Sequence, residues 1–247
     1  MTQCKVELLH NSPLWIGANG ARTCWDSGDK SDTVMRPVRD VDVFLYPPSM
    51  IEMETICGPN DAALIDRVGN KFKHASILEH LVYTFYITDF SRGCLQELSR
   101  HRMASPSVKS TRYTLKELKK EEPFYNNGEA LAHLDGTDLE GCTMDDERAQ
   151  KYLVFSGDSD VDFMSIKALE NLRQIIVKGV SNDKAKYCMP EAYKVNEQLT
   201  INARSLQNLL FLRTDKAALW EIQEVAHAMF DALPEDHKYL FEDKLKH

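Results

Sequence analysis

The run Arg100-His-Arg-Met-Ala-Ser-Pro-Ser-Val-Lys-Ser-Thr-Arg-Tyr113 concentrates guanidinium, imidazole, ammonium and hydroxyl groups in one short stretch. Guanidinium forks meet phosphate oxygens bidentately, and Ser105, Ser107, Ser110 and Lys109 around Pro106 add further donors, so the segment suits a phosphate-bearing ligand. Composition alone would equally describe a solvated basic loop. Other chemistries are excluded more sharply. G-x-G-x-x-G, the Walker P-loop, H-E-x-x-H and G-x-S-x-G are all absent, which removes the standard dinucleotide fold, NTPase, zincin and α/β-hydrolase readings. His74 and His80 are six apart, about 600° around a helix, and do not share a face as zinc ligands would. No metal centre is expected. Ser110 is a tempting nucleophile, yet its neighbours Lys109 and Arg112 are cations that cannot take its proton.

The charge balance sharpens this. Over 247 residues, 30 Lys and Arg face 38 Asp and Glu, giving a net charge of −8 that argues against a general nucleic-acid binder. The segment 121–147 holds nine carboxylates and no Lys or Arg, whereas 92–120 holds eight Lys or Arg against two Glu. The basic run is therefore a candidate anion site inside an acidic protein. With 43% hydrophobic residues the chain is an ordinary globular one, and no apolar run approaches the roughly 18 to 20 residues that cross a bilayer. The N-terminus lacks the basic and apolar regions of a signal peptide, so a cytoplasmic location and no membrane partner are expected. Six scattered cysteines without a C-x-x-C pair suggest neither a zinc ribbon nor a disulfide framework.

The basic run must be positioned by its neighbours. Leu81–Ile87 (LVYTFYI) has the aromatic and β-branched content of a buried strand, and Ser91 is a candidate N-cap for a helix through Leu95 and Leu98 that delivers Arg100–Arg102 at its C-terminal end. Upstream, Val6–Leu9 reads as a strand, Ile16–Trp25 as a helix, and Leu64, Ile65, Val68 and Phe72 as one face of a helix starting near Asn60 or Asp61. Between them, 26–59 is rich in Gly and Pro and reads as an irregular insertion. Downstream, Ile166–Ile176 is amphipathic and stops near Gly179, Asn182 or Asp183 starts another helix, Tyr193–Ile201 alternates like a strand, and helices follow over Ala203–Arg213 and from Asp215. Few strands and many helices predict an α+β fold with a central mostly antiparallel sheet flanked by helices, in one domain over 1–247.

Spacing now adds specificity. Arg100-His101-Arg102, seven residues and then Ser110 form R-H-R-x7-S, and with Arg112-Tyr113 the segment resembles the flavin-dependent thymidylate synthases. Ala21-Arg22-Thr23-Cys24 resembles that family's A-R-x-S, His74-Ala-Ser-Ile-Leu-Glu79-His80 its H-x-[ST]-x-x-E-H, and Asn202-Ala-Arg204-Ser-Leu-Gln-Asn208-Leu-Leu-Phe-Leu-Arg213 its N-A-R-S-L-x-N-x-x-x-L-R, all in the family's order. Segments 26–59 and 121–147 fall outside the resemblance, look like insertions, and are expected to lie away from the chemistry.

The resemblance implies reductive methylation of dUMP to dTMP, with 5,10-methylenetetrahydrofolate as carbon donor, FAD as hydride carrier and NADPH as reductant, in a homotetramer whose active sites are shared between subunits. It implies flavin contacts at His74, Ser76, Arg100, His101, Arg102, Val108, Asn202, Arg204 and Asn208. For dUMP it implies contacts at Glu97, Arg100, Val108, Ser110, Thr111, Arg112, Lys186 and Arg213, the last polarising uracil. Glu97 stands where many members have Gln, Val108 where many have Glu, Lys186 where an Arg is common, and Cys24 where Ser is usual. Read without the resemblance, Asn202 and Arg204 could instead cap a helix, Arg213 could complement its dipole, and the basic loop could serve a nucleotide- or RNA-binding module.

Overall fold

The computed structural model describes residues 4–37, 53–124 and 145–246. Along the chain, strand β1 (Lys5–Asn11) leads into helix α1 (Leu14–Cys24), and β2 (Val34–Pro37) pairs antiparallel with β3 (Met53–Ile56), Val34 opposite Ile56. Helix α2 (Pro59–Ile65) opens with Pro at its first position, where a missing N–H costs nothing, and continues as a π-helix over Asp66–Lys71. A 3₁₀ segment (Ala75–His80) precedes β4 (Val82–Ser91) and α3 (Arg92–Leu98). Then come β5 (Ala104–Val108), α4 (Thr111–Thr114), α5 (Asp146–Ala149), α6 (Ser159–Val177), α7 (Asn182–Ala185), β6 (Lys194–Asn202), α8 (Ala203–Arg213) and α9 (Trp220–Asp231). Mixed helix and sheet is as expected from the sequence. The expected strand over 81–87 and helix over 203–213 are both present. No described helix is long and apolar enough to cross a membrane.

Three differences have physical causes. The serine-proline stretch read as a loop forms β5, the outer strand of a sheet ordered β1-β4-β6-β5. An edge strand tolerates Pro106 because one side of its backbone needs no partner. Within 26–59, read as irregular, the pairing of β2 with β3 supplies order that no local pattern announced; residues 38–52 lie outside the described ones. Helix α9 begins at Trp220, not near Asp215, whose carboxylate instead accepts from Ala217 N in a turn.

Pairs on β4 and β6 run in opposite directions: Ala203 N donates to Leu81 O, Thr84 and Thr200 share a 3.0 Å hydroxyl bond, and Arg92 N donates to Tyr193 O. The two strands are therefore antiparallel. Tyr83, Phe85 and Ile87 face the core, then Asp89 takes a left-handed conformation (φ 61°) and the buried series resumes at Phe90. That extra residue shifts the alternation, as a bulge does, and brings Ser91 to the N-cap of α3, where its hydroxyl accepts from Cys94 N.

Cα packing groups the residues into two compact units, one built mainly from 87–100 and 106–198, the other from 6–86, 101–105 and 199–247. The first unit's core joins Leu115, Leu118, Phe124 and Tyr152 to the apolar face of α6. Its polar knot is Glu121, which accepts from Lys151, Tyr152 and Arg148, in that order of influence, and is held down at about 2. Both described ends of the acidic segment are thus packed structure; 125–144 lie outside the described residues. In the second unit Tyr83 lies edge-on to Phe241 and its hydroxyl meets His237 Nδ1 at 2.8 Å. Asp61, 1% exposed, accepts from Arg22 Nε (2.5 Å), Ser31 and Thr33. Burial pushes its carboxyl up, and the bonds from Ser31, Thr33 and Arg22 outweigh that, leaving it below the usual range.

On β6, Glu197 shares the buried face of Val195, Leu199 and Ile201, is 1% exposed, and its Oε2 lacks a hydrogen-bond partner among the described residues. Burial pushes this carboxyl up to about 7. The folded value lies above the ordinary one, so its contribution to stability is complete below about pH 4.5 and is lost as pH rises through about 7. Replacing Glu197 by Gln is expected to remove this slope. Urea midpoints at pH 5 and pH 8 should then show the variant gaining about 2 to 3 kcal/mol on the parent between the two pH values; parallel pH profiles would contradict it.

Candidate active site

The motif residues distribute over both units. His74, Ser76, His101, Arg102, Asn202, Arg204, Asn208 and Arg213 belong to the second unit; Glu97, Arg100, Ser110, Thr111, Arg112 and Lys186 belong to the first, as does Val108.

In the second unit, Gly69 of the π-helix lies so close to the 3₁₀ segment that a Cβ there would sit 2.9 Å from Leu78 Cδ2. Lys73, at φ 58°, then turns the chain, and His74, exposed, precedes the segment that carries Ser76 and Glu79. Asn202 ends β6 and caps α8, its Oδ1 accepting from Ser205 N at 2.9 Å. The capping role weighed from sequence is therefore real. Along α8, Arg204 Nη1 reaches Glu79 Oε1 at 2.7 Å, Asn208 is exposed, and Arg213 stands half-buried in the last turn. Arg213 Nε donates to His101 Nε2 at 2.9 Å. Accepting at Nε2 requires the neutral imidazole with its proton on Nδ1. Histidine and guanidinium thus fix one another's direction.

A cleft of about 350 Å³ opens beside these groups, lined by Glu79, Val82, Arg102, Met103, Ala104, Ser105, Thr200, Ile201 and Asn202. Arg102 provides a positive charge and the Glu79 carboxylate is paired with Arg204; Ser105, Thr200 and Asn202 are the neutral donors, and Met103, Val82 and Ile201 the apolar walls. Such a donor set fits a ligand with a flat apolar ring and a phosphate-bearing tail.

In the first unit, Arg100 is exposed and 3.5 Å from Glu97. Val108, 37% exposed, ends β5; Lys109 N donates to Asn196 O, holding the loop against β6. Ser110 then precedes the short helix α4 and makes no side-chain cap bond, so its hydroxyl is not committed to the helix. Arg112 Nε donates to Asp183 Oδ1 at 2.7 Å, and Asn182 Nδ2 to Arg112 O at 2.7 Å. The Arg112 bond holds the Asp183 carboxyl below the usual range, with a smaller contribution from Lys186. Lys186 Nζ also lies 5.8 Å over the Tyr187 ring.

Sequence reasoning missed the carboxylate partners. Glu79 lies inside its motif but nothing local ties it to Arg204, 125 residues away, and nothing local ties Asp183 to Arg112, 71 residues away. Among the described residues no three His, Cys, Asp or Glu converge on a metal position.

The sequence profile of the family described as thymidylate synthase complementing protein matches residues 9–237. A flavin-dependent thymidylate synthase of Wolinella succinogenes is 51% identical over 236 residues, 96% of each chain, and one of Campylobacter jejuni 50% over 239 residues, again 96% of each. The fold is similar to a crystal structure of thymidylate synthase X from Helicobacter pylori with FAD and dUMP, at TM-score 0.78 and 46% identity, covering 99% of this chain and all of that one.

Proposed function

Since this chain belongs to the flavin-dependent thymidylate synthases and makes dTMP from dUMP with FAD, we propose that its two sets of motif residues divide the work between flavin and nucleotide. His74, Ser76, Arg100, His101, Arg102, Asn202, Arg204 and Asn208, with the backbone at Val108, hold FAD. Bound there, FAD supplies the hydride. Arg102, whose guanidinium lines the cleft, pairs with the flavin's pyrophosphate, and Ser105 and Asn202 add neutral donors. NADPH is the external reductant and 5,10-methylenetetrahydrofolate the carbon donor.

Ser110, Thr111, Arg112 and Lys186 take the dUMP phosphate, with Glu97 and Val108 contributing backbone groups and Arg100 reaching the same nucleotide. Arg213 stands beside N3 of uracil and its flanking carbonyl. Carbon 5 of uracil is a poor nucleophile, and a fixed cation there draws the ring toward its N3 anion without any enzymic nucleophile. The bond from Arg213 Nε to neutral His101 carries this assignment, because it holds the guanidinium in one orientation before substrate arrives. A homotetramer in the cytoplasm completes the proposal. Support for shared sites comes from Met103 (73% exposed) and Tyr113 (68% exposed), large apolar groups that flank the candidate cations and suit cover by another subunit.

Purified protein is expected to be yellow and to be bleached by NADPH under anaerobic conditions. Colourless protein that takes up no FAD would reject the reading.

The Arg112–Asp183 pair has its own consequence. Both side chains are exposed, and phosphate must compete with Asp183 for the same guanidinium. Asp183→Asn is expected to lower the dUMP dissociation constant about threefold, the scale of an exposed ion pair, in calorimetric titrations of the FAD-loaded protein. Weaker binding by the variant would mean that Asp183 orients Arg112 instead of occupying it.

A further inference from the structure

A second pocket, of about 250 Å³, lies in the same unit between the end of α1 and the π-helix, and it shares no described residue with the cleft described above. Among the described residues three cations line it, Arg22, Lys30 and Arg67, and no carboxylate does. Arg22 is already neutralised by Asp61 behind it. Lys30 and Arg67 are exposed and form no ion pair among the described residues, so the described lining keeps a net positive charge. Two aromatic rings stand at its wall, Trp25 at 70% exposure and Phe72 at 61%. Large rings left in water beside unneutralised cations are costly as bare surface and well suited to stacking on a flat ligand. The wall is also irregular backbone. The π-helix Asp66–Lys71 and the left-handed Lys73 lead from Arg67 and Phe72 straight into His74, and π-turns of this kind concentrate at functional sites.

We propose that this pocket binds an aromatic ligand carrying carboxylate or phosphate groups, its ring against Trp25 and Phe72 and its anionic end on Lys30 and Arg67. The proposal rests on the function given above, since both co-substrates, a folate with a glutamate tail and a nicotinamide dinucleotide phosphate, have that chemistry. The pocket's wall runs directly into the segment assigned to the flavin, so it is placed to receive one of them.

The test uses FAD-loaded protein and two probes, tetrahydrofolate and NADP⁺, titrated separately by calorimetry into the parent, the Lys30→Glu/Arg67→Glu variant, a Trp25→Ala variant and a Lys216→Glu variant, the last altering an exposed cation away from the pocket. The double variant and Trp25→Ala are each expected to weaken one probe by about tenfold and to raise the KM of the corresponding co-substrate to match, with FAD content and saturated turnover near the parent's. Lys216→Glu should leave both isotherms unchanged. Loss of tetrahydrofolate binding identifies a folate carboxylate as the anion; loss of NADP⁺ binding identifies a dinucleotide phosphate. Unchanged isotherms in the pocket variants would overturn the proposal, as would equal loss in the Lys216 variant, which would make the effect one of overall charge. FAD release from the double variant would also overturn it by giving the pocket to the flavin. Absence of dTMP formation in the parent would count against the function alone, because the isotherms decide the pocket independently.

Discussion

Arg213→Ala is expected to retain its FAD and to lose about 10²- to 10³-fold in dTMP turnover at saturating dUMP, the loss typical of removing one fixed electrostatic contact to a developing anion. The charge matters most as negative charge grows on uracil, so the effect falls on turnover more than on binding. Lys at this position restores charge without the planar fork that His101 orients, and intermediate turnover is expected. Ser110→Ala is the contrasting variant. Its hydroxyl is assigned only a phosphate contact, so dUMP binding should weaken by about 1 to 3 kcal/mol while dTMP formation remains measurable. Both variants assayed with dTMP as readout decide between the roles. An inactive Ser110 variant, together with a covalent nucleotide adduct in the parent, would make Ser110 the nucleophile and overturn the assignment of Arg213.

The second large effect concerns the flavin. Arg100→Ala/Arg102→Ala removes two guanidinium groups, each worth about 1.5 to 3 kcal/mol in a charge-assisted contact, and is expected to give largely colourless protein with FAD affinity reduced by about 10² to 10⁴. Arg102 lines the cleft directly, while Arg100 must leave Glu97 to reach a ligand phosphate. The ratio of flavin to protein absorbance after purification measures the outcome, with circular dichroism to verify folding. Full flavin occupancy would show that the neutral donors Ser105, Thr200 and Asn202 of the cleft suffice.

What was legible in the sequence follows from how local each signal is. The apolar aromatic run of β4, the hydroxyl of Ser91 and the amide of Asn202 act within a few residues, and both caps form as bonds to the third residue onward. The strand identity of β5 is not local: Pro106 between Ser105 and Ser107 reads as a loop, and only pairing beside β6 makes the stretch a strand. The π-helix was equally hidden, because its apolar spacing passes for an ordinary helix and the need for Gly69 arises from Leu78 across the packing interface. The site shows the same limit. Motif spacing identified the cations, but their carboxylate partners depend on chain separations of 71 and 125 residues. Asn202 illustrates the converse, for the structural role weighed from sequence is present, and any ligand contact must use its remaining donors.

The most direct test is stoichiometric. Protein whose FAD has been reduced anaerobically is mixed with dUMP and 5,10-methylenetetrahydrofolate, and dTMP formed is compared with FAD reoxidised. One dTMP is expected for each FAD oxidised, with neither dTMP nor comparable oxidation when either substrate is left out. Oxidation without dTMP, or dTMP formed by protein stripped of FAD, would contradict this.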